Sequence, residues 1–240
     1  MHSIALRHPS PAIRFGPRWC VAVGWAFGLW ATALAADSGS LLASWFAAQT
    51  NLHTWSAEFI QTRTLRALTR PLTVTGRVWV EMPERFRWEL GSPAQTIALR
   101  RPGELLVIYP LLKRVERYPL DKGQTGPWRD AMSLLEAGFP RSRAELESQF
   151  NVLSLTVTNA TMALTLQPRS ATVRRFMTQI LVSTDTNRFN LLATEVRFVD
   201  GSSLRSDFTR ATINPSMPSD QFQWHIPADF KVTEPAAAER

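Results

Sequence analysis

Cysteine is nearly missing from this chain: Cys20 is the only one among 240 residues. Acids are missing from the N-terminal segment, which carries His2, Arg7, His8, Arg14 and Arg18 before the first acid, Asp37. A long hydrophobic run is missing too. The apolar stretch from Cys20 to Leu34 falls short of the roughly 20 residues that a transmembrane helix needs. It ends in Ala33-Leu34-Ala35, the small-x-small form that signal peptidase accepts. A basic start, a short apolar core and a small-residue end predict a cleaved signal peptide over residues 1–35 and a mature part in the periplasm. An uncleaved anchor is the alternative. A lipoprotein leader is rejected, because Gly16-Pro17-Arg18-Trp19 is not the small-apolar run such a site needs and the apolar core follows Cys20.

Each absence excludes a class of chemistry. Once the leader is gone, no disulfide, thiol nucleophile or cysteine metal ligand remains. The leader holds three of the 27 basic residues and none of the 20 acids, so its loss lowers the formal charge from +7 to +4. The arginines that remain are scattered, with no run longer than Arg100-Arg101 or Arg174-Arg175. Nucleic-acid binding needs a clustered basic face and is not expected. Only His53 and His225 survive in the mature part. There is no G-x-S-x-G, H-E-x-x-H, phosphate loop or glycine-rich dinucleotide turn. Asp130, Glu136, Glu145 and Glu147 read as solvated charge on helix surfaces. No catalytic residue, metal site or cofactor is expected, and the sequence reads as a binding protein.

What is present is alternation. Leu72, Val74, Val78 and Val80 alternate with Thr73, Thr75, Arg77 and Trp79, with Gly76 on the apolar side. Phe86, Trp88 and Leu90 alternate with Arg85, Arg87 and Glu89. Period two predicts strands with one face hidden and one wet. Met82-Pro83-Glu84 and Gly91-Ser92-Pro93 supply turns between them. Shorter runs continue at residues 96–100, 105–109, 114–118, 152–158, 162–167, 173–183, 191–199 and 203–212, with turn chemistry at Asn159-Ala160, Thr184 to Asn187 and Asp200-Gly201-Ser202. Roughly ten short strands joined mostly by tight turns predict a mainly β, α+β domain over residues 36–240 with one large antiparallel sheet.

Two helical stretches complete the pattern. Leu41, Leu42, Trp45, Phe46 and Leu52 fall on one side of a helix expected over Ser40 to Leu52, with Ser38 or Ser40 as its cap. In mid-sheet, Gly126-Pro127 opens a helix whose Trp128, Met132, Leu135 and Phe139 form one apolar stripe, stopped by Gly138 and Pro140. A second short helix begins at Ser142, which forms a capping box with Glu145. The stripe either closes the core of an ordinary α+β domain or covers a ligand cavity as a lid, a role that adaptable methionine suits.

One series of short motifs runs nearly the length of the mature chain: Phe59-Ile60-Gln61-Thr62, Gly76-Arg77-Val78-Trp79, Pro83-Glu84-Arg85-Phe86-Arg87-Trp88, Pro93, Tyr109-Pro110, the Asp200-Gly201 hairpin, and Phe222-Gln223-Trp224-His225-Ile226-Pro227 before Val232. In this order it resembles the LolA family of periplasmic carriers of outer-membrane lipoproteins. The resemblance implies an incomplete, open antiparallel β-barrel with helices as a lid over a concave apolar face that takes acyl chains. It implies an acylated lipoprotein or other lipid as cargo, an inner-membrane exporter and an outer-membrane acceptor as partners, and a monomer. On this reading Leu72, Val74, Val78, Val80, Phe86, Trp88 and Leu90 wall the cavity, and Trp128, Met132, Leu135 and Phe139 form the lid. Lipoprotein carriers of this family have an arginine before the proline of P-x-x-F; here that position is Met82. The run from Leu65 to Leu72 resembles a divergent subgroup that works with exporters of non-protein lipids, glycolipid or aryl-polyene-like. Lipid-sensing envelope-stress regulators of the same fold are the other alternative; they carry a further domain, whereas Arg240 follows soon after the last strand.

Overall fold

A computed structural model describes residues 28–120 and 137–234, with side chains from Gly39 onward. The chain divides into two units, Met1–Asp37 and Ser38–Arg240. Of the first, only backbone from Gly28 is described, as the start of helix α1 (Gly28–Thr50). The expected helix thus begins earlier than Ser40 and stops at Thr50. Gly28 to Ala36 is mostly alanine and leucine and contains no proline, so nothing ends the helix there. Ser38 and Ser40 lie inside α1 rather than at its cap. Among the described residues no helix is long and apolar enough to cross a membrane.

The second unit is built on one sheet. Its strands are β1 (Thr54–Thr64), β2 (Leu72–Glu81), β3 (Arg85–Leu90), β4 (Thr96–Arg101), β5 (Glu104–Tyr109), β6 (Arg114–Pro119), β7 (Phe150–Thr158), β8 (Thr161–Pro168), β9 (Met177–Asp185), β10 (Leu191–Phe198), β11 (Ser203–Ile213) and β12 (Lys231–Thr233). Their order is β12-β6-β5-β4-β3-β2-β1-β11-β10-β9-β8-β7. Two meanders are stitched together where β1 pairs with β11, and β12 and β7 leave the sheet open. Every pairing is antiparallel except β12 on β6, which is parallel because the C-terminal segment crosses the sheet before joining it.

Turn chemistry explains the hairpins. Asn159 and Ala160 both take positive φ, 50° and 58°, the twist a two-residue hairpin requires. The Asp185 carboxylate accepts hydrogen bonds from the backbone N–H groups of Asn187, Arg188 and Asn190. Helix α2 (Arg143–Gln149) starts at Ser142, whose hydroxyl accepts from the Glu145 N–H at 3.1 Å, while the Glu145 carboxylate accepts from the Arg141 N–H at 2.8 Å. The strand expected over residues 173–183 starts later, at Met177. Ser170 instead caps a one-turn helix, α3 (Ala171–Arg174), by accepting from the Val173 N–H.

Alternation builds the core of the inner face. In β8, Met162, Leu164 and Leu166 are buried between half-exposed Ala163, Thr165 and Gln167. Helix α1 joins the same cluster through Trp45, fully buried, and Leu42. One expectation fails at the other end of the sheet. In β5, Leu105 to Ile108 are all fully buried, so β4–β6 have no wet face. The C-terminal segment lies over their outer side, where Phe222, Met217, Trp224, Ile226 and Phe230 pack on Ile97, Leu99, Leu106, Ile108 and Val115 in a second core. Arg87, expected on the wet side, is covered as well. Its guanidinium sits 5.8 Å from the Trp224 ring centre, donates to the Gln221 carbonyl and pairs with Glu89 at 2.7 Å.

Candidate functional site

Strand pairing brings the apolar positions of β1, β2, β3 and β11 onto one inner surface. Phe59 lies opposite Gly76 on one side and Phe208 on the other. Its ring centre is 4.3 Å from that of Trp88 and 6.1 Å from that of Phe208. Trp88 meets Phe208 edge-on at 6.1 Å, and Trp55 meets both Phe208 (5.2 Å) and Phe139 (5.1 Å) edge to face. Such offset and T-shaped geometries suit the ring quadrupoles. Four aromatic side chains from three strands, with Phe139 just after the helical Ala137 and Gly138, therefore form one continuous apolar floor.

Gly76 makes the floor possible. A Cβ at this position would collide with the Phe59 ring and with the Glu89 carbonyl of β3. Only glycine lets the Phe59 ring lie across β2 and reach Trp88.

The expected wall residues divide into two groups. Val78, Val80 and Phe86 are buried in the inner cluster, and Trp88 and Leu90 pack against it half-exposed. Leu72 is 54% exposed, and Val74 beside it is half-buried outside the cluster. Both stand on the inner side of β2, where its register pairs Arg63 with Leu72 and Gln61 with Val74. Of the expected lid residues, Phe139 is buried against Trp55, and Ala137 and Gly138 before it are helical. Trp128, Met132 and Leu135 lie outside the described residues. Trp55, Phe59 and Phe208 belong to the floor yet were not among the expected site residues. The alternation Trp55-Ala57-Phe59 carried that signal.

Next to Phe139 the inner surface opens into a cleft of about 190 Å³ at the β2–β3 turn. Val80, Met82, Pro83 and Phe86 form its apolar side, and Arg85, Arg100, Arg141 and Glu145 its polar rim. Met82, in the position expected to hold arginine, is half-buried and packs on the core. Arg85 is held by Glu81 at 3.2 Å. His53 and His225 are exposed, and among the described residues no group of three or more His, Cys, Asp or Glu could hold a metal.

Three solved structures share the general chain path at low identity. A conserved protein from Thermus thermophilus is 12% identical with a TM-score of 0.48, over 82% of this chain and 99% of that one. A putative outer membrane lipoprotein-sorting protein domain from Vibrio parahaemolyticus is 13% identical (TM-score 0.43; 79% and 97% covered). A LolA superfamily protein from Nitrosomonas europaea is 12% identical (TM-score 0.41; 78% and 97% covered). Among curated proteins none matches significantly. The family model of the outer membrane lipoprotein carrier protein LolA matches residues 50–225, a segment that begins at the end of α1, contains the whole aromatic floor and includes Phe222 and Trp224 of the outer core. Open sheet, apolar inner face and family match agree: the chain belongs to the LolA family.

Proposed function

We propose that this protein is a periplasmic carrier that shields the acyl chains of a lipidated cargo against the inner face of its sheet, delivering it from an inner-membrane exporter to an outer-membrane acceptor. Residues 1–35 act as its cleaved signal peptide. The observation that carries the reading is the aromatic floor, flanked by Val78, Val80, Phe86 and Leu90 and continuing to Leu72 and Val74 at one end of the sheet.

The energetics supply the need. Each methylene moved into water costs about 0.8 kcal/mol, so a sixteen-carbon chain costs on the order of 12 kcal/mol. A lipid does not cross an aqueous gap at a useful rate against such a barrier. An apolar floor substitutes for the bilayer while the polar head stays in water. Delivery then requires that the acceptor hold the chain more tightly than the carrier does, since binding shifts an equilibrium only by the difference in affinity between states.

Met82 favours a second reading of the cargo. An apolar side chain packed on the core replaces the arginine of the lipoprotein carriers, which fits a non-protein lipid released by a dedicated exporter.

The test uses the indoles of Trp55 and Trp88 as reporters. An acylated peptide with brominated chains should quench tryptophan emission on binding, and the same peptide without its chains should not. Competition by a glycolipid or by a triacylated lipopeptide then ranks the two cargoes. If no acylated ligand of either kind quenches the protein, the carrier reading fails.

A further inference from the structure

Three connections meet at one end of the sheet: the β1–β2 hairpin (residues 65–71), the β8–β9 connection with α3 (169–176) and the β10–β11 hairpin (199–202). The register brings them together, pairing Arg63 with both Leu72 and Leu204, Arg197 with both Ser203 and Gln179, and Phe198 with Met177. A hydrogen bond of 2.9 Å from the Val199 N–H to the Phe176 carbonyl ties the last two connections.

This end is unlike a solvated loop cluster in two respects. Large apolar side chains stand in water, with Leu68 45%, Val199 57% and Phe176 64% exposed. Its charge is also nearly all of one sign. Arg63, Arg66 and Arg70 occur without an acid between residues 63 and 72, and Arg169, Arg174 and Arg175 without one between 169 and 176. Asp200 is the lone acid among the three connections, already engaged by the Ser202 hydroxyl and N–H and facing Arg63. Arg169 and Arg174 donate to main-chain carbonyls. Arg66, Arg70 and Arg175 form no ion pair with a described residue. Elsewhere the arginines are commonly met by an acid, as in Arg101–Glu104, Arg143–Glu147 and Arg210–Glu58.

We propose that this end docks on the surface of a bilayer containing anionic lipid. The proposal rests on the carrier reading and extends it to the membrane itself. Guanidinium groups pair with anionic headgroups, while Leu68, Phe176 and Val199, at turn tips rather than in a groove, reach the boundary between headgroups and acyl chains. Protruding apolar tips within a basic rim fit a soft, negatively charged plane better than a folded protein, which would need a pocket for each tip. The position also makes mechanical sense. Leu72, on the inner face, opens onto the same end, so an acyl chain leaves the bilayer and meets the apolar floor without crossing open water.

The test is flotation of the purified protein with unilamellar vesicles of phosphatidylglycerol and phosphatidylcholine in equal parts, or of phosphatidylcholine alone. The expected result is binding to the anionic vesicles that is screened by high salt, and little binding to the neutral ones. Arg66→Gln with Arg70→Gln should weaken anionic-vesicle binding about 25-fold, from roughly fivefold per arginine near a charged surface. Leu68→Ser with Phe176→Ser should weaken it as well. Both double variants replace exposed side chains and should melt with the wild type, and both should keep binding brominated acyl peptide in solution. A wild type that takes acyl peptide but ignores anionic vesicles overturns the docking proposal and leaves the carrier reading standing. Arginine variants that bind vesicles like the wild type overturn it too. A wild type that takes no acyl peptide overturns the carrier reading instead.

Discussion

Replacing Gly76 by alanine tests whether the aromatic floor is as tightly built as its geometry requires. In an ordinary strand interior the change would help by about 0.5–1 kcal/mol, because glycine loses the most backbone freedom on folding. Here the new methyl group would collide with the Phe59 ring and with the Glu89 carbonyl. The ring has little room to tilt, with the Trp88 ring centre 4.3 Å away and that of Phe208 6.1 Å away. The carbonyl belongs to the β2–β3 ladder and moves only if the ladder does. Overpacking of a tight site costs about 1–3 kcal/mol, and a backbone obstacle places this one at the upper end. The net expectation is a loss of about 2 kcal/mol, or roughly 4–8 °C in Tm for a domain of this size. Urea and thermal unfolding measure it directly. The double variant Gly76→Ala with Phe59→Leu separates the two obstacles, because shortening the ring relieves only the side-chain part. It should recover on the order of half the loss relative to the sum of the single changes. A Gly76→Ala protein as stable as the wild type would refute the packing argument.

The remaining predictions concern the outer core, the floor and one hairpin. Phe222→Ala removes the most buried side chain of the C-terminal segment and should cost about 3 kcal/mol, read in urea as a shifted midpoint together with earlier proteolysis after residue 214. Val78→Asp puts a charge into the fully buried floor of β2; it should abolish quenching by brominated acyl peptide and lower Tm by several degrees, since an unpaired buried charge is costly. In the β10–β11 turn, the Ser202 hydroxyl and then its N–H hold the Asp200 carboxyl below the ordinary carboxylate value, against a smaller opposing effect of desolvation, with Arg63 adding to the depression. A depressed folded value means that its stabilisation is present above the unfolded value near pH 4 and is lost as pH falls through the folded one. The Ser202 amide should therefore titrate by NMR below about pH 4, and Asp200→Asn should remove that titration.

Much of the architecture was readable because it rests on local rules. Alternation in β2, β3 and β8, the turn residues Asn159-Ala160 and Asp200-Gly201, and the Ser142 cap each follow from a few neighbouring residues. Three features depend on distant ones. The hidden outer side of β4–β6 requires a segment about a hundred residues later in the chain to fold back over it, and nothing local in Leu105 to Ile108 tells a strand buried on both faces from other short apolar runs. Helix α1 begins before Ser40 because Gly28 to Ala36 has no helix breaker, although the periodic stripe that betrays an amphipathic helix starts only at Leu41. The strand start expected at Val173 gave way to a capped turn, since the Ser170 hydroxyl accepts from the Val173 N–H and starts a one-turn helix there. On the inner face the burial of Val78, Val80 and Phe86 in β2 and β3 was legible from period two. The alternation Trp55-Ala57-Phe59 was legible in the same way, but the meeting of these side chains with Phe208 in one floor was not, because it arises only when β1 is placed between β2 and β11.

The central claim is that the inner face holds acyl chains, and native mass spectrometry of protein released gently from the periplasm tests it most directly. The account predicts a population heavier than the bare polypeptide by the mass of an acylated species, extractable into organic solvent and absent from a Val78→Asp preparation. Wild-type protein that is uniformly empty, and stays empty after incubation with acylated lipopeptide and with glycolipid, would contradict it.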